Sequence, residues 1–341
     1  KGVEDTAFYR YLRFTALNEV GGDPGHFGVD PDELHRWCIR QQANWPDAMT
    51  TLSTHDTKRS EDVRARLAVL SEVPAEWSAQ VTSWRAASAT YRSPLLDANT
   101  EYLLWQTLVG AWPIDAGRLT AYLEKATREA KRRTTWTEPD EAYDEAVRTF
   151  AEAVLADAEI TASVSAFVER LAPAFRANVL SQKLLGLTVP GVPDVYQGCD
   201  LVDLSLVDPD NRRPVDYRAR VERLAALDDG EAPRDLDDEK LLVVSRTLRL
   251  RSEQPRWFGS SSTYQRIDTT TSHAFALGRS DRAVTVVSRL TTGLRDGFSD
   301  ETVSLPGGTW NDLFTGEAYA DDTPLARLLD RLPVALLVRA E

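Results

Sequence analysis

The stretch from Thr50 to Arg66, Thr-Thr-Leu-Ser-Thr-His-Asp-Thr-Lys-Arg-Ser-Glu-Asp-Val-Arg-Ala-Arg, constrains the fold more than any other part of the chain. Residues 48–52 suit a short buried strand. The run ends in Thr54-His55-Asp56, and a densely charged helical pattern starts at once behind it. A strand that ends in polar groups and turns directly into a helix is how a (β/α) barrel delivers side chains to the rim where its chemistry lies. The same residues permit a plainer reading. Asp56 could be the N-cap of the following helix, its carboxylate accepting main-chain N–H groups. His55 could be an ordinary hydrogen-bonded histidine. Lys58, Arg59, Glu61, Asp62, Arg64 and Arg66 could form a solvated face laced by helical ion pairs. A His-Asp pair before a helix does not by itself choose between these.

The surrounding chain reads as support for this junction. Residues 1–18 are apolar, aromatic and basic and suit a short strand or loop running into a helix; residues 18–25 form a loop. Asp30-Pro31-Asp32-Glu33 opens a helix that Trp45-Pro46 stops. From 58 to about 180 the pattern is helical throughout, with segments at 62–70, 75–90, 99–110, 117–133, 142–156, 161–171 and 173–187. At Gly186 the texture changes to a short apolar strand broken by prolines and glycines, followed by a rigid loop over 206–217 and helices at 217–227 and 238–252. From about Trp257 the pattern is β, with strands at 273–277, 283–290, 302–305 and 334–338. That gives four expected segments: 1–57, 58–180, 181–255 and a small all-β domain over 256–341.

The bulk numbers exclude several function classes. With 53 Asp and Glu against 40 Lys and Arg the formal charge is −13, which repels phosphate backbones, so nucleic acid is not an expected partner. A neutral substrate such as a sugar is unaffected. No apolar run reaches the length of a membrane span. Cys38 and Cys199 show no metal-ligand spacing and cannot make a disulfide framework, which fits a reducing compartment, and a cytoplasmic location is expected. His26, His35, His55 and His273 do not pair at metal-ligand spacing, and no phosphate loop or dinucleotide fingerprint is present, so no cofactor is expected. The chain begins Lys-Gly-Val-Glu-Asp-Thr without an initiator Met, as a piece of something longer would.

Five stretches together resemble the maltooligosyl trehalose synthase family of the α-amylase (glycoside hydrolase 13) superfamily. They are Lys1-Gly-Val-Glu-Asp-Thr-Ala-Phe-Tyr-Arg-Tyr11, Leu17-Asn-Glu-Val-Gly-Gly-Asp-Pro24, Ser53-Thr-His-Asp-Thr-Lys-Arg-Ser-Glu-Asp-Val-Arg-Ala-Arg66, Gly191-Val-Pro-Asp-Val-Tyr-Gln-Gly198 and Leu206-Val-Asp-Pro-Asp-Asn-Arg-Arg-Pro-Val-Asp-Tyr217. The His-Asp ending alone indicates only the superfamily; the extended third stretch and the Asp-Pro-Asp-Asn-Arg-Arg-Pro loop are far more specific. One departure is that the family tends to place Glu after Tyr-Gln-Gly, where Cys199 and Asp200 stand here.

The resemblance implies a fold: the C-terminal part of a TIM barrel, its sixth and seventh strand region in 1–57, a large all-α insertion, strand eight within 186–198, and a C-terminal all-β sandwich. It also implies a chemistry, conversion of the reducing-end α-1,4 linkage of a maltooligosaccharide into an α,α-1,1 linkage. Retaining glycosidases use two flanking carboxyl groups, a nucleophile and an acid/base. In the superfamily both come from strands four and five, which would precede Lys1, in a missing N-terminal part of the same enzyme. Asp56 matches the third family acid, with His55 beside it, and this chain alone is expected to be inactive. Lys1, Lys58 and Arg59 are the residues expected to grip the freed glucose, with Glu19, Tyr196, Asp210 and Arg212 at the pocket wall. Two other readings stand beside this one. The first is an α-glucan hydrolase or branching enzyme on the same framework. The second is a non-catalytic helical module that binds a partner such as the hydrolase that releases trehalose.

Overall fold

The structure, a computed structural model, describes residues 2–294 and 297–340. It divides into two compact units. The first holds the chain up to Phe27 with His55–Ala172 and Leu204–Arg213; the second holds Gly28–Thr54, Pro173–Asp203 and the chain from Pro214 onward. This division cuts across the four expected segments. The helical stretch is grouped with the N-terminal residues, and the segment that carries the first strand is grouped with the β region.

The first unit is helical, and its centre is the helix Ala98–Ala111. Every residue from Thr100 to Ala111 except Tyr102 is buried, as a helix apolar on all sides requires. Trp105 stacks on Trp84 at 5.3 Å and meets Phe150 edge-on at 6.4 Å. The helix Glu61–Val69 packs on it at Gly110. A Cβ there would lie 2.9 Å from Val63 Cγ1 and 3.0 Å from Leu67 Cγ, so only glycine permits this approach. Asp97, Asp115 and Asp140 cap the helices that follow them, each accepting main-chain N–H groups of the first turn.

Two expectations need correction. Residues Gly2–Phe8 are helical, with Glu4 and Asp5 in the first turn where the helix dipole favours acids, and no strand lies there. The segments 161–171 and 173–187 are one continuous helix, Ala158–Thr188, with Pro173 inside it. Proline removes one main-chain bond. Val164, Phe167 and Leu171 before it and Phe175, Val179, Leu180 and Leu184 after it are all buried, and that burial holds the helix through the proline.

In the second unit, β1 (Met49–Thr51) and β2 (Val192–Asp194) pair in parallel, Met49 opposite Val192. Gly191 takes φ +135°, and a side chain there would strike Ala48 O at 2.9 Å and Thr50 Cγ2 at 2.8 Å, so glycine is needed where β2 begins. The C-terminal strands are β3 (Tyr264–Ile267), β4 (Ala274–Arg279), β5 (Ala283–Ser288), β6 (Thr302–Ser304), β7 (Trp310–Asp312), β8 (Ala318–Tyr319), β9 (Asp322–Pro324) and β10 (Val334–Arg339). Six of them form a sheet in the order β3-β4-β5-β10-β7-β8, and β6 pairs with β9. Both faces of the sheet are covered, and alternate residues show by what. Phe275, Leu277 and Val287 join a core with Leu241, Leu242 and Val243 of the helix Leu236–Glu253. Ala274, Ala276, Val284 and Val286 join one with Val303, Trp310, Leu325 and Leu328. The expected sheet-rich C-terminal region is therefore present, with helices rather than a second large sheet on one face.

Candidate functional site

The chain leaves β1 at Thr51, and the next helix begins only at Glu61, with Ser60 in the cap position. His55 and Asp56 sit in the loop between. Asp56 is thus not the N-cap, which removes the plainest of the readings open from sequence.

Within the first unit this loop is held from several sides. Glu19 is 3% exposed. Its Oε1 accepts from the N–H of Lys58 at 2.7 Å and of Val20 at 2.9 Å, and its Oε2 from the N–H of Arg59 at 2.9 Å. Asn211 donates its side-chain N–H to the carbonyl of His55 at 3.1 Å. The N–H of Ser60 donates to the carbonyl of Ser205 at 3.0 Å. A buried loop has no ladder to satisfy its main chain, and a carboxylate that accepts successive N–H groups supplies what a neighbouring strand otherwise would.

Lys58 is 2% exposed. Its ammonium lies 3.1 Å from Asp5 Oδ1, 3.3 Å from Asp56 Oδ1 and 3.1 Å from the carbonyl of Asp56, over the ring of Phe8. Burial works against its charge, but the hydrogen bond and charge of Asp5 and then those of Asp56 outweigh it and hold its pKa above the ordinary lysine value. Asp5 and Asp56 keep about a quarter of their side-chain surface exposed, 25% and 26%, and the side of His55 is open.

Arg59 points the other way. It is 2% exposed and donates to Tyr122 Oη at 3.0 Å and to the carbonyl of Thr15 at 3.4 Å. Burial opposes its charge, and the acidic neighbours Tyr122 and Glu19 more than offset this, so its pKa is raised. The guanidinium of Arg59, expected from the resemblance to grip a sugar, is thus engaged inside the unit rather than at its surface.

Asp210 and Arg212 lie on the segment strapped to the loop through Asn211. Asp210 accepts from Arg118 Nε at 2.9 Å and Nη2 at 2.8 Å and from the N–H of Leu206 at 2.8 Å. Burial would raise its pKa, but Arg118 and that N–H hold it below the ordinary carboxylate value. Arg212 is exposed, 4.0 Å from Asp208, whose Oδ1 accepts from Lys125 Nζ at 2.7 Å. Tyr196 belongs to the second unit, in a turn closed by the N–H of Cys199 on its carbonyl. Lys1 lies outside the described residues. The structure thus gathers Asp56, Lys58, Glu19 and Arg59 in one network and adds Asp5, Asn211, Lys125 and Asp208, which sequence reasoning passed over. Asp208 was visible in the motif beside Asp210, and Asp5 in the first of the five quoted stretches, but neither was singled out.

Among the described residues no group of three His, Cys, Asp or Glu side chains is placed to hold a metal ion, and no helix is long and apolar enough to cross a membrane.

No protein-family model matches the chain. Its mixed helix and sheet architecture, with the strands concentrated toward the C-terminus, is shared with solved carbohydrate enzymes. The maltooligosyltrehalose synthase of Arthrobacter ramosus matches with a TM-score of 0.92 and 40% identity over 99% of this chain and 44% of that one. The glycosyltrehalose synthase of strain DSM5389 matches with a TM-score of 0.83 and 30% identity over the same shares. A relative from Mycobacterium tuberculosis (strain ATCC 25618 / H37Rv), assigned to maltooligosyl trehalose synthase, is 42% identical over 99% of this chain and 44% of its own length. Over nearly its whole length the chain is similar to maltooligosyl trehalose synthases, and it spans a little under half the length of the relatives it matches.

Proposed function

We propose that this chain is the C-terminal part of an intramolecular transglycosylase that converts the reducing-end α-1,4 linkage of a maltooligosaccharide into an α,α-1,1 linkage through a retaining mechanism, an isomerase. Similarity over the whole chain to maltooligosyl trehalose synthases is the observation that carries the proposal. The parallel pair β1–β2, with Asp56 on the loop after β1, is what a fragment of a (β/α) barrel presents.

In this mechanism one carboxyl group protonates the glycosidic oxygen while a second attacks the anomeric carbon, giving a glycosyl-enzyme ester. On this reading neither is supplied by this chain. Asp56 and His55 hold hydroxyls of the distorted ring, through bonds that tighten as the ring flattens toward an oxocarbenium ion. The freed glucose turns in its subsite, and its anomeric hydroxyl attacks in place of water. Arg212 is an exposed cation of the site segment and is assigned to hold that glucose.

The test compares two proteins on maltopentaose: residues 1–341 alone, and the parent protein carrying this stretch. The parent should consume reducing ends without releasing glucose. The 341-residue chain should do nothing. In the parent, Asp56→Asn should lower kcat by about a hundredfold or more while the protein still folds. Turnover by the short chain, or free glucose as the main product of the parent, would defeat the proposal.

A further inference from the structure

The expectation that Lys58 grips a sugar meets a count of donors. An ammonium has three N–H groups. Three acceptors surround Lys58 Nζ within hydrogen-bond distance: Asp5 Oδ1, Asp56 Oδ1 and the carbonyl of Asp56. With 2% of the residue exposed and the Phe8 ring 5.2 Å from the ammonium, no donor is left for a ligand.

The arrangement is directional. Two of the three contacts fall on Asp56, one on its main chain and one on its carboxylate. They close a ring that fixes both the turn and the side-chain torsion of that residue. The third contact anchors the ammonium to the helix Gly2–Phe8, far away in sequence. The main chain of Lys58 is seated separately, by the Glu19 carboxylate on its N–H.

We infer that Asp5 is a positioning residue that aims the Asp56 carboxylate through Lys58, with Glu19 seating the main chain of the same lysine, and that none of the three binds the sugar. The inference rests on the proposed function for its consequence, but its geometry is independent of it. Without Asp5 the ammonium keeps one hydrogen-bonded carboxylate, with Glu129 and Asp208 acting on it only at longer range, and it shifts onto Asp56, which turns that carboxylate away from the position in which a distorted ring would meet it. A reacting group displaced by about 1 Å can cost about a hundredfold in rate.

A buried ion pair that serves stability alone is the competing account, and the kinetic split separates the two. In the parent enzyme, Asp5→Asn should lower kcat by about tenfold to a hundredfold with KM changed less than about twofold, because an interaction felt only as the transition state forms is lost. Asp5→Glu, which keeps the charge, should recover part of the rate, and Glu19→Gln should behave as Asp5→Asn does. An Asp5→Asn enzyme that is less stable but has an unchanged kcat overturns the inference. So does a variant whose KM alone rises, since that would place Asp5 or Lys58 on the sugar.

The second arm needs no activity. In the 341-residue chain carrying a carboxyl carbon label, Asp5→Asn should move the carboxyl resonance of Asp56 and lower the pH at which the Lys58 ammonium titrates. If the Asp56 resonance stays in place, the coupling does not exist and the inference falls. A parent protein that makes no non-reducing product would defeat the functional reading while leaving this arm to decide the geometry.

Discussion

Arg59→Met separates two tasks that the sequence alone cannot tell apart. If Arg59 grips a sugar, the change should cost substrate binding and little stability. The structure assigns the opposite. The guanidinium donates to Tyr122 Oη at 3.0 Å and more weakly to the Thr15 carbonyl at 3.4 Å, beside Glu19. Losing a hydrogen bond from a charged donor costs about 1.5–3 kcal/mol. Each buried group left without its partner adds up to about 1–3 kcal/mol, and the thioether, which fills part of the space, returns some of it. A net loss of about 3 kcal/mol follows, within the range of about 3–5 kcal/mol for breaking a buried charged pair at one end. That is more than a hundredfold in the opening equilibrium. Amide hydrogen exchange in the helix Ala98–Ala111 is the suitable assay, because a chain of two units need not unfold in one step. Protection there should fall by about that factor. Unchanged protection, together with a KM for maltopentaose raised tenfold in the parent enzyme, would refute the reasoning and restore Arg59 as a sugar ligand.

Three further outcomes follow from the same geometry. The Lys58 pKa is raised on folding, so with its carboxylate partners ionised its ion pairs contribute fully below the unfolded lysine value of about 10.4 and the contribution is lost as pH rises through the higher folded value; the stability gap between the protein and Lys58→Met should be flat from about pH 7 to about pH 10 and close above it in urea titrations. The Asp210 pKa is depressed, so its contribution is present above the unfolded value of about 3.9 and disappears as pH falls through the folded one; the protein and Asp210→Asn should differ in unfolding midpoint at pH 6 and converge in acid. Gly110→Ala gains about 1 kcal/mol of helix propensity but forces a methyl to 2.9 Å from Val63 and 3.0 Å from Leu67, a strain of about 1–3 kcal/mol, so the variant should be the less stable in thermal denaturation; a stabilised variant would show that the two helices are not so close.

The fold was legible where local rules act alone. The helices around 116–130 and 141–156 announce themselves by an aspartate cap and a regular apolar period, and the structure shows those aspartates capping. The small and β-branched run at 283–288, with three valines, marks a strand covered on both faces, as β5 is. What escaped was set by partners. Strands β7, β8 and β9 are two or three residues long and exist because β10, β7 and β6 are there to pair with. In residues 8–14 aromatics placed between basic residues mimic a strand period, but only Phe8 and Tyr9 of that run are buried and the structure places the preceding residues in a helix. Pro173 reads as a break, yet both halves of its helix are buried and the helix continues.

The candidate site shows a different limit. The charged run after Asp56 could be read from sequence as a solvated helix face, and the structure gives several of its residues other surroundings. A solvated helix face and a buried ionic network have the same composition, and only burial tells them apart. Here Lys58, Arg59, Glu61 and Asp62 are all buried, between 0% and 2% exposed. Their partners are far off in the chain: Asp5 is 53 residues from Lys58, Glu19 is 40 from Arg59, and Tyr122 is 63 from Arg59. No local period can report such pairings. The need for them can be argued, however. A loop that presents Asp56 must be rigid, and it has no neighbouring strand to take most of its N–H groups. Charged side chains are then the substitute for a ladder: a carboxylate seats two successive N–H groups, an ammonium ties a carbonyl to a carboxylate, and a guanidinium anchors the turn from below. Dense charge immediately after a short strand is here the mark of a loop held rigid from within, with Asp56 left partly exposed in its midst.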